Sequence, residues 1–257
     1  MIHQMDKVNK VLLFHDVDKT KRTGMQKSGS RYLLDWKKFQ KIFELNQSFK
    51  NIFEQIVTDS SNNEACIRIT IDDGGGSNLE IAKFLKERNI KGYFFIITNF
   101  IGRQNFLDEN EIKQIHQMGH IIGSHSHTHP HPFSLLSYNQ ILFEINKSKE
   151  VLEQILNISI KTFSVPGGEV NNRVLKILSE PELALDDIYI SAPFKGRINF
   201  RFSHKTTIYG RLCIESRMSD LKISRYLAGK GWFFSLIDYQ IRRFKREIVY
   251  RLSSYIT

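Results

Sequence analysis

Two short stretches of the chain carry side chains suited to metal-assisted chemistry. One contains the adjacent carboxylates Asp72 and Asp73, followed by three glycines, and the other, residues 123–131, contains His125 and His129. A spacing of four residues lets two imidazoles reach one ion, and a metal held for hydrolysis needs about three protein ligands and an open position. One carboxylate can be the third ligand while its neighbour stays free to take a proton. The two stretches therefore predict the two halves of one metal site.

Each stretch also has an ordinary structural interpretation. The aspartate pair alone would most often form a turn, and alternating histidines can line one face of a strand. Pro130 and Pro132 argue against an extended central strand there, because proline cannot donate a ladder hydrogen bond. We therefore expect a loop in which His127 and His131 point outward or support the ligands. His120 is expected to be a hydrogen-bonded structural histidine.

The segments that must position these side chains alternate between apolar runs and helix-like stretches. Strands are predicted at residues 10–15, 66–71, 92–97, 120–123, 161–165 and 188–191. This alternation is typical of a parallel sheet with helices outside it, and ligands in such folds bind at the carboxyl ends of the strands. The aspartate pair, the histidine-rich stretch, His15 and the Pro166-Gly167 turn each follow a predicted strand. We expect them to converge on one face.

Capping residues indicate where helices begin. Asp35 and Asp108 are candidate N-caps, and Ser77 and Ser137 each open a capping box with Glu or Gln three residues later. We expect helices to start directly after these four residues, and a further helix near residues 172–179.

The composition is that of an ordinary soluble globular protein. Of 257 residues, 41% are hydrophobic and 25% charged, with a formal net charge of +10. The charge favours an anionic partner, but no interleaving of aromatic and basic residues supports nucleic acid. Two cysteines do not make a disulfide framework, and neither a signal peptide nor a run of ~20 apolar residues is apparent. The predicted location is the cytoplasm.

Three motifs resemble those of a known enzyme family. Residues 70–74, 125–130 and 163–167 are similar to the first three motifs of the polysaccharide deacetylases (NodB-homology proteins, carbohydrate esterase family 4), and the resemblance spans roughly residues 10–212. It implies a distorted (β/α)7 barrel and metal-dependent removal of N-acetyl groups from sugars. By matching position, the resemblance assigns the general base to Asp72. It also assigns three metal ligands: Asp73, His125 and His129. Zinc is the default ion for such ligands, although nickel, cobalt or iron would also fit.

The chain departs from the family pattern at two points. The third motif usually begins with an arginine that orients the base, and here that position is Ser164; Arg211 is a candidate substitute. The family's late Leu-x-His, which supplies the general acid, has no convincing match. Residues 11–17 instead resemble the opening segment of the branch that deacetylates exported poly-N-acetylglucosamine, and this assigns the acid to His15. The alternative is that His15 simply closes a buried strand.

The predicted function is therefore a metal-dependent deacetylase acting on amino sugars of a polysaccharide, glycolipid or glycan precursor. Backbone N–H groups near Pro166 and Gly167 are candidates to bind the substrate oxyanion, because the glycine permits close approach. Two alternatives remain open. One is a non-catalytic glycan-binding relative, suggested by Ser164. The other is an Fe(II) oxidoreductase with a facial triad of two histidines and one carboxylate.

The C-terminal part differs in character from the rest. We predict a deacetylase domain at residues 8–215 and a basic amphipathic helical extension at 216–257, which carries nine Lys and Arg against three Asp and Glu. Its apolar stripe consists of Phe233, Ile237, Ile241, Phe244, Ile248 and Leu252. The stripe is expected to cover the barrel or pack in an oligomer. The alternative is that it lies on anionic lipid at the inner membrane face.

Overall fold

The strands and helices of the chain alternate as the sequence predicts. The structure, a computed structural model, describes residues 8–24, 27–44, 53–56, 66–168, 170–193, 197–198 and 206–253. Its strands are β1 Val8–Phe14, β2 Cys66–Ile71, β3 Gly92–Ile96, β4 Ile121–Ser124, β5 Thr162–Ser164, β6 Asp187–Ile190, β7 Arg197–Ile198, β8 Thr207–Gly210 and β9 Leu212–Cys213. Its α-helices are α1 Trp36–Glu44, α2 Asn78–Glu87, α3 Glu109–Gln117, α4 Tyr138–Leu156, α5 Asn172–Leu178, α6 Asp220–Leu227 and α7 Trp232–Ser253.

The strands form one sheet that curls into a barrel. Their order is β7-β8-β6-β5-β4-β3-β2-β1-β9, and every neighbouring pair is parallel except β7 with β8. β1 also lies against β8, so the eight parallel strands are nearly closed into a ring. The predicted distorted barrel is confirmed.

Alternation along each strand separates an outer apolar layer from the barrel interior. In β2, Ile67, Ile69 and Ile71 belong to the large apolar cluster that packs against the helices, whereas Arg68 and Thr70 alternate with them and are also buried. A separate interior cluster contains Val11, Tyr93, Phe95, Tyr189 and Tyr209. Because side chains alternate with a period of two, the residues that follow the strands on the interior side meet at the carboxyl end of the barrel.

Three of the four predicted helix caps are confirmed. The side chains of Asp35, Asp108 and Ser137 accept hydrogen bonds from backbone N–H groups in the first turns of α1, α3 and α4. The predicted capping box at Ser77 is wrong, although α2 begins at the next residue. The Ser77 hydroxyl donates instead to the buried carboxylate of Asp16, which is a stronger, charge-assisted partner.

The C-terminal segment packs against the barrel through a face that the sequence did not indicate. Trp232 and Tyr239 of α7 are buried in the two outer apolar clusters. The predicted stripe is not the covering face, because its members Phe233, Ile237, Ile241 and Phe244 are exposed. Helices pack through whatever side chains fit the facing grooves, and here a polar-aromatic face fits better than the apolar one. The side chains of Ile248 and Leu252 lie outside the described residues.

The domain boundary at residue 215 stays a prediction. The structure adds β7 to β9 and α6, elements that the sequence analysis did not predict. Ile223 and Leu227 of α6 share the large apolar cluster with the strands. Within the described residues, no helix is long and apolar enough to cross a bilayer.

Candidate metal and catalytic site

Three predicted ligands come together at the carboxyl end of the barrel. Asp73 follows β2, and His125 and His129 follow β4; one ligand atom from each lies within 4.8 Å of the other two. The Asp73 carboxylate oxygen is 3.4 Å from Nε2 of His125 and 3.9 Å from Nε2 of His129. Ligand atoms around a tetrahedral zinc ion with bonds of about 2.1 Å lie about 3.4 Å apart. The described side chains therefore fit a small divalent ion.

The histidine loop is held by contacts on its outer side. Glu144, a buried carboxylate on α4, accepts hydrogen bonds from the backbone N–H groups of His127 and Thr128 and from the Thr128 hydroxyl. His127 Nδ1 lies 2.8 Å from the hydroxyl of Thr98, so His127 supports the loop and is not in the ligand triad. His129 adopts a left-handed φ of 59°, a backbone state that costs free energy unless neighbouring contacts fix it.

His125 is oriented by a hydrogen bond to a backbone carbonyl. Its Nδ1 lies 2.8 Å from the carbonyl oxygen of Ser164, and a carbonyl can only accept, so Nδ1 carries the proton. In the neutral ring, Nε2 then presents a lone pair to Asp73 and, at 3.6 Å, to Asp72. Three electron-rich atoms face one another and require a cation, which is either a second proton or a metal ion.

The predicted base, Asp72, is buried in a polar clamp. Arg211, which is also fully buried, donates from its two terminal nitrogens to the two carboxylate oxygens at 2.7 and 2.8 Å. Ser164 donates to Asp72 at 3.0 Å and accepts from Arg211 at 2.8 Å. The third motif has Ser164 where the family usually has an arginine. Arg211, between β8 and β9, supplies a guanidinium to the Asp72 carboxylate instead.

The charges of the site favour two ionised carboxylates and a neutral His129. Burial alone would raise the pKa of Asp72, but the Arg211 guanidinium and His125 outweigh it and hold that pKa below its usual value. Burial likewise opposes ionisation of Asp73, yet a hydrogen bond from doubly protonated His125 and the nearby imidazoles lower its pKa. Burial and the neighbouring His125 lower the pKa of His129 to about 4. Asp72 and Asp73 are thus carboxylates at neutral pH, and His129 is a neutral ligand.

His15 lies in the same site at the end of β1. Its ring stacks on Tyr32 with centroids 4.7 Å apart, and Nδ1 is buried without a hydrogen-bond partner among the described residues. Burial lowers the pKa of His15, while the carboxylates of Asp73 and Asp72 act in the opposite direction. The His15 imidazole interacts electrostatically with both carboxylates, so it lies where it can donate or accept a proton in the site.

The triple glycine serves a contact that the sequence did not reveal. The Asp16 carboxylate lies directly beneath the loop and accepts hydrogen bonds from the Ser77 hydroxyl, the Gly24 N–H and Asn78. A Cβ atom at Gly75 would lie 2.2 Å from an Asp16 oxygen, so only glycine allows this approach. Burial raises the pKa of Asp16 to about 7.

The Pro166-Gly167 turn follows β5 as predicted. Gly167 has a φ of 61°, and a Cβ atom there would lie 2.5 Å from Nδ1 of His131. The Tyr239 hydroxyl of α7 donates to the carbonyl oxygen of Gly168 at 3.3 Å, which ties the turn to the C-terminal helix. The role of Pro166 and Gly167 in substrate binding stays a prediction.

Glu144, Asp16 and Tyr239 were missed by sequence reasoning, although one signal was available. Glu144 interrupts the buried face of α4, between Ile141 and Ile145. A carboxylate in an apolar helical stripe is costly unless it is hydrogen-bonded, so its presence there predicts a buried partner.

Comparison with known proteins identifies relatives with deacetylase names. The profile of the family described as polysaccharide deacetylase matches residues 59–185. A putative polysaccharide deacetylase, YxkH, from Bacillus subtilis is 30% identical over 122 residues, which are 47% of this chain and 43% of that protein. A peptidoglycan-N-acetylglucosamine deacetylase from Bacillus cereus is 29% identical over 46% of this chain and 42% of that protein. The chain thus spans less than half the length of these curated relatives.

The fold is shared with solved deacetylase structures. A Streptococcus pyogenes deacetylase, PplD, solved in complex with acetate, superposes with a TM-score of 0.66 at 16% sequence identity. The match covers 86% of this chain and 98% of that one. At this identity the likeness establishes the barrel fold alone.

Proposed function

We propose that this chain is a metal-dependent deacetylase of the polysaccharide deacetylase family, whose profile matches residues 59–185. Its substrates are N-acetylated amino sugars in a polysaccharide, glycolipid or glycan precursor. The observation that carries this proposal is a buried, ionised Asp72 beside the Asp73, His125 and His129 triad. A base next to a three-ligand metal set is the arrangement that hydrolysis of an unactivated amide needs.

Asp73, His125 and His129 would hold the ion, with zinc as the default. A bound divalent ion would polarise the acetyl carbonyl and lower the pKa of water. Two imidazoles and one carboxylate leave a coordination position open for that purpose. The second carboxylate, Asp72, is withheld from the ion by its two bonds to Arg211.

The protein's own groups then handle the protons. Asp72 takes a proton from the attacking water as the carbon–oxygen bond forms. Arg211 and Ser164 keep the base ionised and fixed in orientation until that moment. Backbone N–H groups at Pro166-Gly167 stabilise the oxyanion, and Pro166 itself, which lacks an N–H, shapes the turn.

His15 completes the reaction by giving a proton to the sugar nitrogen as the carbon–nitrogen bond breaks. Without that proton the amine would leave as an unstable anion. Acetate and a free amino sugar result. The position of the ring at the end of β1, stacked on Tyr32, supports this assignment.

The names of relatives support the substrate class. The Bacillus cereus relative is named for deacetylation of N-acetylglucosamine in peptidoglycan, and the Streptococcus pyogenes structure contains acetate. We extend only the general class, an acetylated glycan, to this chain. A cytoplasmic location, an oligomeric state and the absence of a nucleic-acid partner remain predictions from the sequence.

The two alternatives gain no support. Ser164 suggested a binding-only relative because the motif arginine is absent, but Arg211 supplies a guanidinium to the same carboxylate. The relatives described above carry deacetylase names, so the Fe(II) oxidoreductase has no finding in its favour.

Acetate release tests the proposal. Purified, metal-stripped and zinc-restored protein would be compared on N-acetylglucosamine oligomers and nucleotide sugars, together with the Asp72→Asn variant. We expect release that depends on metal and is lost in the variant. A stoichiometrically metallated protein that releases no acetate from any of these sugars would contradict the proposal and favour the binding-only relative.

A further inference from the structure

We propose that the outer face of α6 and α7 docks on an anionic lipid bilayer, and that the cleft beside it receives a glycan held on that bilayer. The docking face is defined by six exposed apolar side chains: Leu221, Phe233, Phe234, Ile237, Ile241 and Phe244. The second half of this inference rests on the proposed deacetylase function, whereas the first half does not.

The docking face is unusually exposed for its composition. Phe233, Phe234 and Phe244 are 69, 72 and 66% exposed, and Leu221 is 72% exposed. Large apolar side chains grouped on one surface, rather than scattered singly, mark an interaction site. α7 can leave them outside because its opposite face, with Trp232 and Tyr239, already anchors the helix to the barrel.

The charges around this face select an anionic partner. Lys222, Arg225 and Lys230 are exposed beside it. Two of the three acids of the same segment lie away from this face: Asp220 pairs with Lys41 of α1 at 2.6 Å, and Asp238 lines the cleft toward the barrel. Residues 216–257 carry nine basic against three acidic side chains, a difference of +6. Apolar side chains flanked by lysine and arginine are the pattern of helices that lie at a negatively charged lipid interface.

A groove in the face suits a lipid headgroup. It has a volume of about 320 Å³ and is lined by Leu221, Lys222, Arg225, Tyr226 and Phe234, together with Ser219 and Gly231. Two cationic side chains at the rim can contact a phosphate while the apolar walls contact acyl chains.

A second copy of the chain fits this face less well. A two-fold interface places the same patch opposite itself, so the basic side chains of one copy would meet those of the other. A bilayer that contains anionic lipid instead neutralises them.

The docking face adjoins a second cleft, with which it shares lining residues. This cleft, of about 360 Å³, runs between the carboxyl ends of β6, β8 and β9 and the helices α6 and α7. Its lining includes Arg211, the residue that holds Asp72. Ser219, Lys222 and Tyr226 line both the cleft and the groove. A glycan anchored in the bilayer under the groove would therefore enter the cleft from the membrane side.

Vesicle flotation tests the docking. The full chain would be floated with vesicles of phosphatidylcholine alone and with vesicles that also contain phosphatidylglycerol. We expect binding to the anionic vesicles that weakens with salt, since screening acts on exposed charges. The Phe233→Ser/Phe234→Ser and Arg225→Glu/Lys230→Glu variants should each bind at least about tenfold more weakly.

Matched controls distinguish binding through this face from nonspecific membrane binding by any exposed apolar or basic side chain. Leu135 is as exposed as Phe233, at 69%, and Lys37 is an exposed lysine on α1, so Leu135→Ser and Lys37→Glu should float like the unaltered protein. Failure to float with anionic vesicles would overturn the proposal, as would equal binding to both vesicle types. A dimer in solution that Phe233→Ser/Phe234→Ser converts to a monomer would also overturn it, in favour of a second copy.

Activity separates the two halves of the inference. The Asp72→Asn variant should float normally, so docking can be scored even if no deacetylation is found. On soluble N-acetylglucosamine oligomers the Phe233→Ser/Phe234→Ser variant should match the unaltered protein, whereas on the same oligomers attached to lipid in anionic vesicles it should be slower by about tenfold. Equal loss on both substrates would overturn the membrane-side entry of the glycan.

Discussion

Removal of the guanidinium that holds the catalytic carboxylate is the most informative perturbation of this site. In the Arg211→Met variant, Asp72 loses two charge-assisted hydrogen bonds of 2.7 and 2.8 Å while it remains buried. The pKa of Asp72 lies below its usual value because Arg211 and His125 outweigh the effect of burial. Without Arg211, burial acts with less opposition and the pKa of the carboxyl rises.

Two magnitudes follow from this arrangement. Removal of one partner from a buried ion pair leaves an uncompensated charge and costs about 3–5 kcal/mol of unfolding free energy. When the general base is protonated and misoriented, the rate of deacetylation should fall by about 100-fold or more. The acid limb of the kcat/KM profile should move to higher pH, because a base with a raised pKa needs a higher pH to ionise. Arg211→Lys, which keeps the charge but not the two-pronged geometry, should fall between the two proteins.

The assay pairs acetate release across pH with urea unfolding. Arg68→Met is a matched control, because Arg68 is also buried in the barrel and pairs with Glu54 at 2.7 Å and Asp187 at 3.2 Å, away from the metal triad. It should lose comparable stability and keep the pH profile of the unaltered protein. An Arg211→Met variant with unchanged kcat/KM and an unmoved acid limb would refute the assignment of Asp72 as a base oriented by Arg211.

Three further predictions concern the ligands, the loop and a structural histidine. His129→Ala should lose stoichiometric zinc binding in calorimetry, whereas His131→Ala should retain it; equal retention by both would remove His129 from the ligand set. Glu144→Gln should weaken zinc binding about 10–100-fold, because Glu144 fixes the backbone of the ligand loop. Glu150→Gln, on the exposed side of the same helix, should leave zinc binding unchanged. His120 accepts from the Gly92 N–H and lies 2.9 Å from the Ala82 carbonyl, and burial lowers its pKa to about 4. Between pH values of about 6.5 and about 4, His120 binds a proton in the unfolded chain but not in the folded protein. The free energy of unfolding should therefore fall by up to about 3 kcal/mol as the pH drops through this range. His120→Gln should flatten that part of the stability curve, and an equal slope in both proteins would contradict the argument.

The alternation of strands and helices and the convergence of the candidate ligands could be predicted from the sequence because both depend on local patterns. Apolar runs separated by helix-like stretches predict parallel strands, and turns at the ends of such strands meet at one edge. Asp73 and His125 closely follow strands, and His129 lies in the same loop as His125, so their convergence follows from the fold class. The caps at Asp108 and Ser137 are equally local, since the bonds that make them span three residues.

The contacts that tune the site depend on packing between distant segments, which no local pattern encodes. Arg211 binds Asp72, which lies 139 residues earlier in the sequence. The Ser77 side chain does not cap α2, because its hydroxyl donates to Asp16, a stronger acceptor 61 residues earlier. The face of α7 that covers the barrel was decided in the same way. Periodicity marks the apolar side of a helix, but only the shape of the neighbouring surface decides which side packs, and Tyr239 at the Gly168 carbonyl fits where Phe233 does not.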